Sequence, residues 1–146
     1  MSDYVSRAEI LIRKAPEEVW QTLTATGSNP EIMFGAEIVT DWQVGHPISW
    51  KGTFKGTDYE DKGTILEFDE PHALSMTHFS PMTGQPDVAE NYHTVSFSLE
   101  KVAEGTRVAL TQDKNPTMEA AAHSEENWML ALKGLRSVVE GTLVDD

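Results

Sequence analysis

Two histidines, His78 and His93, are the side chains of this sequence best suited to chemistry, because an imidazole can exchange a proton near neutral pH or bind a metal ion. Each falls on the apolar face of a predicted strand, His78 with Leu74 and Met76, and His93 with Val95. If the two strands are consecutive and antiparallel, pairing Met76 with Val95 sets the histidines directly opposite each other, with Cβ atoms about 5 Å apart. We therefore predict that the two rings form a pair.

Four roles are open to this pair: a hydrogen-bonded structural pair, a pair that orients the polar end of a ligand, an acid and a base, or half of a metal site. A metal site would need a third ligand, and the sequence assigns none. Asp61 would face inward with the histidines unless a bulge in its strand reverses it. The chain has no cysteine, no nucleophile elbow, no glycine-rich phosphate loop and no HExxH helix. We predict no catalytic residue, no metal and no cofactor.

Aromatic residues on the inner faces of the predicted elements are the candidates for the wall of a cavity. Such residues more often fill a core than line a cavity. The core and cavity interpretations differ only in whether space remains between the sheet and the helix. With the histidines and one leucine, the predicted ligand-binding residues are Trp50, Phe54, His78, His93, Phe97, Trp128 and Leu132.

A long C-terminal helix is predicted over residues 124–140, with Ser124 as the N-cap and Gly141 as the terminator. It would be about 20 residues long, and about 30 Å, if it instead starts near Glu119. Its apolar residues recur at steps of four, three and four, which is the spacing of one helix face: Trp128, Leu132, Leu135 and Val139.

The rest of the chain is predicted to be mostly strand, in one domain of residues 1–146. A short helix begins at Pro16, residues 31–34 add a second short turn, and residues 81–91 form a loop long enough to border a pocket. The predicted fold is therefore α+β: a curved antiparallel sheet of six to seven strands around the long helix, with two short helices after the first strand. The predicted strands are residues 4–14, 36–42, 48–55, 58–69, 73–80, 92–101 and 106–112.

Several phrases resemble one protein family when they are taken in order. They are Ala15-Pro16-Glu17-Glu18-Val19-Trp20 with Leu23, Gly63-Thr64-Ile65-Leu66-Glu67 with Pro71 and Leu74, Val95-Ser96-Phe97-Ser98-Leu99-Glu100 with Gly105-Thr106-Arg107-Val108, and Asn127-Trp128 with Leu132 and Leu135. The chain resembles the activator-of-heat-shock-protein-90-ATPase homologue family, in the START-like, birch-pollen-allergen-like (SRPBCC) superfamily. The resemblance implies a helix-grip fold whose cavity, across the superfamily, holds lipids, sterols, polyketides and other apolar ligands. The eukaryotic co-chaperone of the family carries a separate chaperone-binding domain, for which 146 residues leave no room.

The composition restricts the partners. A formal net charge of −13 would repel a nucleic-acid backbone or an anionic membrane, so neither is predicted as a partner. The absence of cysteine and of a signal-like or membrane-spanning segment predicts a cytoplasmic protein; the oligomeric state is not predicted. The predicted function is binding of a small apolar or aromatic molecule. A cyclase-, hydratase- or lyase-like enzyme and a stress-related or co-chaperone-like interaction module are the alternatives.

Overall fold

The computed structural model describes residues 4–25, 27–28, 37–81 and 84–141. A 3-10 turn, Ala89–Asn91, precedes the seventh strand. The strands are β1 Tyr4–Ile12, β2 Gly27–Ser28, β3 Glu37–Thr40, β4 Pro47–Phe54, β5 Thr57–Asp69, β6 Ala73–His78, β7 His93–Val102 and β8 Gly105–Asn115, and the helices are α1 Pro16–Leu23 and α2 Met118–Glu140.

All eight of these strands form one antiparallel sheet in the order β1-β8-β7-β6-β5-β4-β3-β2. The predicted α+β fold, a curved sheet holding a long C-terminal helix, is confirmed. The described residues contain one strand more than the seven predicted, and this additional strand is β2, which is two residues long. Helix α1 is the first of the two predicted short helices, whereas the second, at residues 31–34, lies outside the described residues.

Helix α2 begins six residues before the predicted N-cap. Thr117 is the true N-cap, because its hydroxyl accepts a hydrogen bond from the Ala120 backbone N–H at 2.9 Å. Ser124 lies inside the helix and donates instead to the Asn115 side-chain oxygen at 3.2 Å. The alternative start near Glu119 is therefore correct, and Gly141 ends the helix in the left-handed conformation at φ 73°.

The core lies between α2, α1 and the inward face of the sheet. Trp128, Leu132 and Leu135 of the predicted stripe are buried there, and Val139 is partly buried against them. Buried and exposed residues alternate along the strands, as the sequence pattern predicts, and the buried ones form the side of the core that faces the helices. Burial of both apolar surfaces is what fixes the helix across the sheet.

Strand β1 is an edge of the sheet, and two glutamates of α2 accept hydrogen bonds from backbone N–H groups in this strand and directly after it. The Arg7 N–H donates to the Glu125 carboxylate at 3.2 Å, and the Arg13 N–H donates to the Glu140 carboxylate at 2.8 Å. An edge strand otherwise presents unpaired N–H groups to other chains. These bonds also fix how α2 lies along β1.

Candidate functional site

The predicted register of the histidines is confirmed. Across β6 and β7, Met76 is opposite Val95 and His78 is opposite His93. The rings nevertheless make hydrogen bonds to different partners. His78 Nε2 lies 2.9 Å from a carboxylate oxygen of Asp61, and His93 Nδ1 donates to a β8 main-chain carbonyl, that of Asp113, at 2.8 Å.

Asp61 faces inward because it is paired with Trp50, an inward-facing residue of β4. The bulge that threatened this orientation does exist, but it lies between Ile65 and Glu67, on the far side of Asp61 from the loop that enters β5. The carboxylate therefore reaches His78 diagonally across the sheet.

Gly63 makes that approach possible. A Cβ atom at this position would overlap the backbone carbonyl of Thr77, so only glycine lets β5 and β6 approach so closely. The Thr77 hydroxyl also accepts a hydrogen bond from the Thr64 N–H at 2.9 Å. The close contact places Asp61 beside His78, one residue beyond Thr77.

The Asp61 carboxylate determines which nitrogen of the His78 imidazole carries the proton. Because a carboxylate can only accept, Nε2 of His78 is the donor, and in the neutral ring Nδ1 then carries the lone pair. The His78 and Asp61 side chains are 22% and 15% exposed, and Trp50 contacts the imidazole edge-on with centroids 5.0 Å apart. The second oxygen of Asp61 is buried with no hydrogen-bond partner among the described residues. A mostly desolvated carboxylate–imidazole pair of this kind can orient a polar ligand group or exchange a proton.

A cavity lies beside His78, between the sheet and the helices. Leu23 of α1, Ile38 of β3 and Trp128 of α2 close it from their sides, together with Trp42. The volume of the cavity is about 30 Å³, enough for about two water molecules. The rest of its wall is apolar and comes from β4, β6 and β7: Ile48, Trp50, Leu74, Met76, Val95 and Phe97.

The predicted site residues divide between this cavity and other places. Trp50, His78, Phe97 and Trp128 line the cavity. His93 and Leu132 do not: His93 is bonded to β8, and Leu132 is 1% exposed within the core. Phe54 ends β4, but its side chain lies outside the described part of the structure.

Trp42 is a cavity residue that the predicted ligand-binding set does not include. It follows β3 with φ 60°, a left-handed conformation that is costly for a bulky side chain. Its indole N–H is buried with no partner among the described residues, and its ring lies 5.8 Å from that of Phe68. The Thr40 hydroxyl accepts from its backbone N–H at 3.2 Å, which helps to hold the turn. No residue pattern around position 42 signals this conformation.

A buried polar network positions Trp128 on the opposite side of the cavity. The indole N–H donates to Gln112 at 2.6 Å. Asn115, 2% exposed, donates to the Tyr4 carbonyl at 2.8 Å, the Ser6 hydroxyl at 2.9 Å and the Gln112 carbonyl at 3.1 Å. The network ties α2 to both β1 and β8, so the tryptophan is held at both its apolar and its polar side.

Lys62, Asp87 and Tyr92 form what we call the loop clasp. Asp87, in the loop predicted to border a pocket, pairs with the Lys62 ammonium and accepts from the Tyr92 hydroxyl at 2.6 Å. The Lys62 bond, and then the Tyr92 bond, hold the Asp87 pKa below its usual 3.8. Tyr92 also stacks on buried Phe79, with centroids 5.1 Å apart. The clasp fixes the loop against the middle of β5, and none of its three residues lines the cavity.

Within the described residues, no group of three or more histidine, aspartate or glutamate side chains is placed to hold a metal ion. None of the described helices is both long and apolar enough to cross a membrane.

Comparison with known proteins identifies similar chains. The family model described as "Activator of Hsp90 ATPase homolog 1-like protein" matches residues 13–140. The solution structure of ChR145 from Cytophaga hutchinsonii is 44% identical, with a TM-score of 0.81 over 94% of each chain. The solution structure of the Aha1 dimer from Colwellia psychrerythraea is 22% identical, with a TM-score of 0.71 over 94% of this chain and 96% of that one. Ara h 8.0201 is 14% identical, with a TM-score of 0.72 over 97% of this chain and 100% of that one, and it shares the fold. No curated protein matches the chain.

Proposed function

Because the chain belongs to the family of Activator of Hsp90 ATPase homolog 1-like proteins, we propose that it binds a small apolar or aromatic molecule between its sheet and helix α2. The observation that carries the proposal is an apolar cavity with the Asp61–His78 pair at one side. Ligand sites typically combine such an apolar wall with a small number of placed polar groups.

The volume of the cavity sets a condition on binding. At about 30 Å³, the space admits waters but not an aromatic ring, so the wall must move when a ligand of that size enters. Binding therefore selects or creates a wider conformation and costs part of the contact energy. We expect moderate affinities and a measurable rise in stability on binding.

Tryptophan fluorescence and calorimetry test the proposal, because three of the four tryptophans line the cavity: Trp42, Trp50 and Trp128. The probes are a fatty acid, a sterol, a flavonoid and 1-anilinonaphthalene-8-sulfonate. We expect saturable binding of at least one probe, with a melting temperature that rises with its concentration. If every probe fails in both measurements, the ligand-container function is wrong.

A cavity-filling variant gives the matched control. Val95→Leu adds one methylene group to the wall and should weaken binding, because about 30 Å³ of space is close to the volume of that group. Val44→Leu adds the same group at a side chain that is 59% exposed, and should leave binding unchanged.

An enzyme is the second candidate, favoured by the Asp61–His78 bond itself. A carboxylate that orients an imidazole is a recurrent arrangement for general base catalysis. Turnover of a bound compound that is lost in both His78→Gln and Asp61→Asn, but kept in His93→Phe, would support the enzyme. Binding without turnover in the unaltered protein would support the container.

A co-chaperone-like interaction module is the third alternative, suggested by the family description. It predicts binding to a chaperone or client surface and no binding of the small probes. The cytoplasmic location and the exclusion of nucleic acid and membrane remain predictions from the sequence.

A further inference from the structure

We propose that Trp42 donates a hydrogen bond to the ligand, and that the ligand therefore carries a neutral acceptor, a carbonyl oxygen. The inference rests on the proposed binding function and adds a ligand class to it. Trp42 lies in the cavity wall, and its buried indole N–H has no partner among the described residues. Buried donors are nearly always paired, so an unpaired one at a cavity needs an explanation.

The position of Trp42 is held by its surroundings. The Thr40 hydroxyl accepts from its backbone N–H, and the next backbone N–H, that of Gln43, donates to the Asp41 carboxylate at 3.1 Å. Asp41 also bonds His46 at 2.7 Å, which ties the two ends of the turn together. A left-handed backbone at a tryptophan persists only when the surrounding contacts over-determine it. The backbone that carries the indole is thus held by several hydrogen bonds, so the opening of the cavity falls to other parts of the wall.

The ring itself is also supported. The Phe68 ring lies 5.8 Å from that of Trp42 and also contacts the ring of Trp20 edge-on, with centroids 5.2 Å apart. Because Phe68 packs against both tryptophans, its contact with Trp42 restrains the indole ring. A donor fixed in this way discriminates between ligands, since a ligand without an acceptor leaves the N–H unpaired.

The chemistry of the donor selects the ligand group. An indole N–H can only donate, so its partner must accept. A carboxylate is disfavoured for three reasons: the cavity wall is mostly apolar, the Asp61 carboxylate is bonded to His78 of that wall, and the chain carries a net charge of −13. A carbonyl oxygen accepts a hydrogen bond and is uncharged. Unlike a hydroxyl group, it brings no donor that the apolar wall would leave unpaired.

Two probes of nearly equal shape test the proposal: 2-acetylnaphthalene, a ketone, and 2-isopropenylnaphthalene, in which a methylene group replaces the oxygen. We measure both dissociation constants for the unaltered protein and for Trp42→Phe. The preference for the ketone over the alkene should fall about tenfold in Trp42→Phe, the factor that one typical hydrogen bond supplies. Taking the ratio within each protein cancels the change in cavity size.

Trp20→Phe is the matched control, because it also removes an indole packed on Phe68 but does not line the cavity. It should change stability and leave the ketone preference unchanged. If Trp42→Phe does not fold, the indole ¹⁵N–¹H resonance of Trp42 in the unaltered protein decides. That resonance should move downfield with the ketone and not with the alkene.

The outcomes separate this inference from the proposed function. If both probes bind and Trp42→Phe keeps the preference, Trp42 is not the donor, while the cavity still binds ligands. If neither probe binds the unaltered protein, the carbonyl class is wrong, and the broader probe panel decides whether the cavity binds any ligand.

Discussion

His78 and His93 face each other across β6 and β7, yet each ring is hydrogen-bonded to a different partner, His78 to Asp61 and His93 to the main chain of β8. The register makes the residues neighbours, whereas the hydrogen bonds give them separate roles. His78 belongs to the cavity wall, and His93 binds the β8 carbonyl of Asp113. Substitutions at the two positions should therefore have different effects.

Replacing His78 with phenylalanine is expected to reduce the free energy of unfolding by about 1–3 kcal/mol, because a buried carboxylate oxygen loses its donor. The double variant His78→Phe/Asp61→Leu should recover most of the loss, since both partners are then apolar. Urea unfolding measures both values. A double variant no more stable than His78→Phe alone would contradict the pairing.

His93→Phe is the comparison for ligand binding. We expect any ligand identified in the probe panel to bind His78→Phe more weakly and His93→Phe unchanged, because only His78 lines the cavity. Calorimetry on both variants measures this. Equal losses of affinity would mean that the histidines act together after all.

Trp128→Ala should reduce the free energy of unfolding by about 3–5 kcal/mol, because it removes a buried ring and leaves Gln112 without its donor. Trp128 is 9% exposed, so its contacts with the sheet contribute nearly their full value. Leu130→Ala, on the exposed face of the same helix, should change it by less than about 0.5 kcal/mol. Similar losses in the two variants would mean that the face of α2 carrying Trp128 is not the face that packs on the sheet.

Asn115→Asp should destabilise the protein by about 3–5 kcal/mol at pH 7, because a buried charge replaces the amide that donates to Tyr4, Ser6 and Gln112. Burial would raise the pKa of the new carboxyl above its unfolded value, so the loss should shrink as the pH falls toward 4. Unfolding at several pH values tests this. Asn127→Asp, at an exposed position of α2, should show neither effect.

The loop clasp should open in acid. The pKa of Asp87 is lowered by its bonds to Lys62 and Tyr92, so the clasp's contribution is present above pH 3.8 and is lost as the pH falls through the lower folded pKa. Carboxyl ¹³C shifts measure the Asp87 titration directly. In Lys62→Met the midpoint should move back toward 3.8. A midpoint at or above 3.8 in the unaltered protein would mean that no clasp forms.

Gly63→Ala should reduce the free energy of unfolding by at least about 2 kcal/mol more than Gly52→Ala does. The reason is that it forces apart the backbones of β5 and β6, which cannot move independently. The added methyl group would overlap the Thr77 carbonyl, whereas at Gly52 it would meet the movable hydroxyl of Tyr59 at 2.6 Å. Denaturant unfolding compares the two. Gly63→Ala should also alter the imidazole resonances of His78, since it separates β5 from β6.

The sequence alone determined the features that depend on local periodicity. Alternation placed Met76, His78 and Val95 on inward faces, and consecutive antiparallel strands then left few registers that keep all three buried. The spacing of Trp128, Leu132 and Leu135 likewise identified the face of α2 that packs on the sheet. Motif order added the family, which the comparisons confirm.

Only the tertiary structure decided which groups meet and how much space remains. The partner of His78 depends on where the β5 bulge falls, and residue alternation near Asp61 is the same for a bulge on either side. The left-handed turn at Trp42 is set by side-chain bonds from Thr40 and Asp41, not by propensity. The cavity volume is the small difference between a large enclosed space and the side chains that fill it, so no residue pattern encodes it.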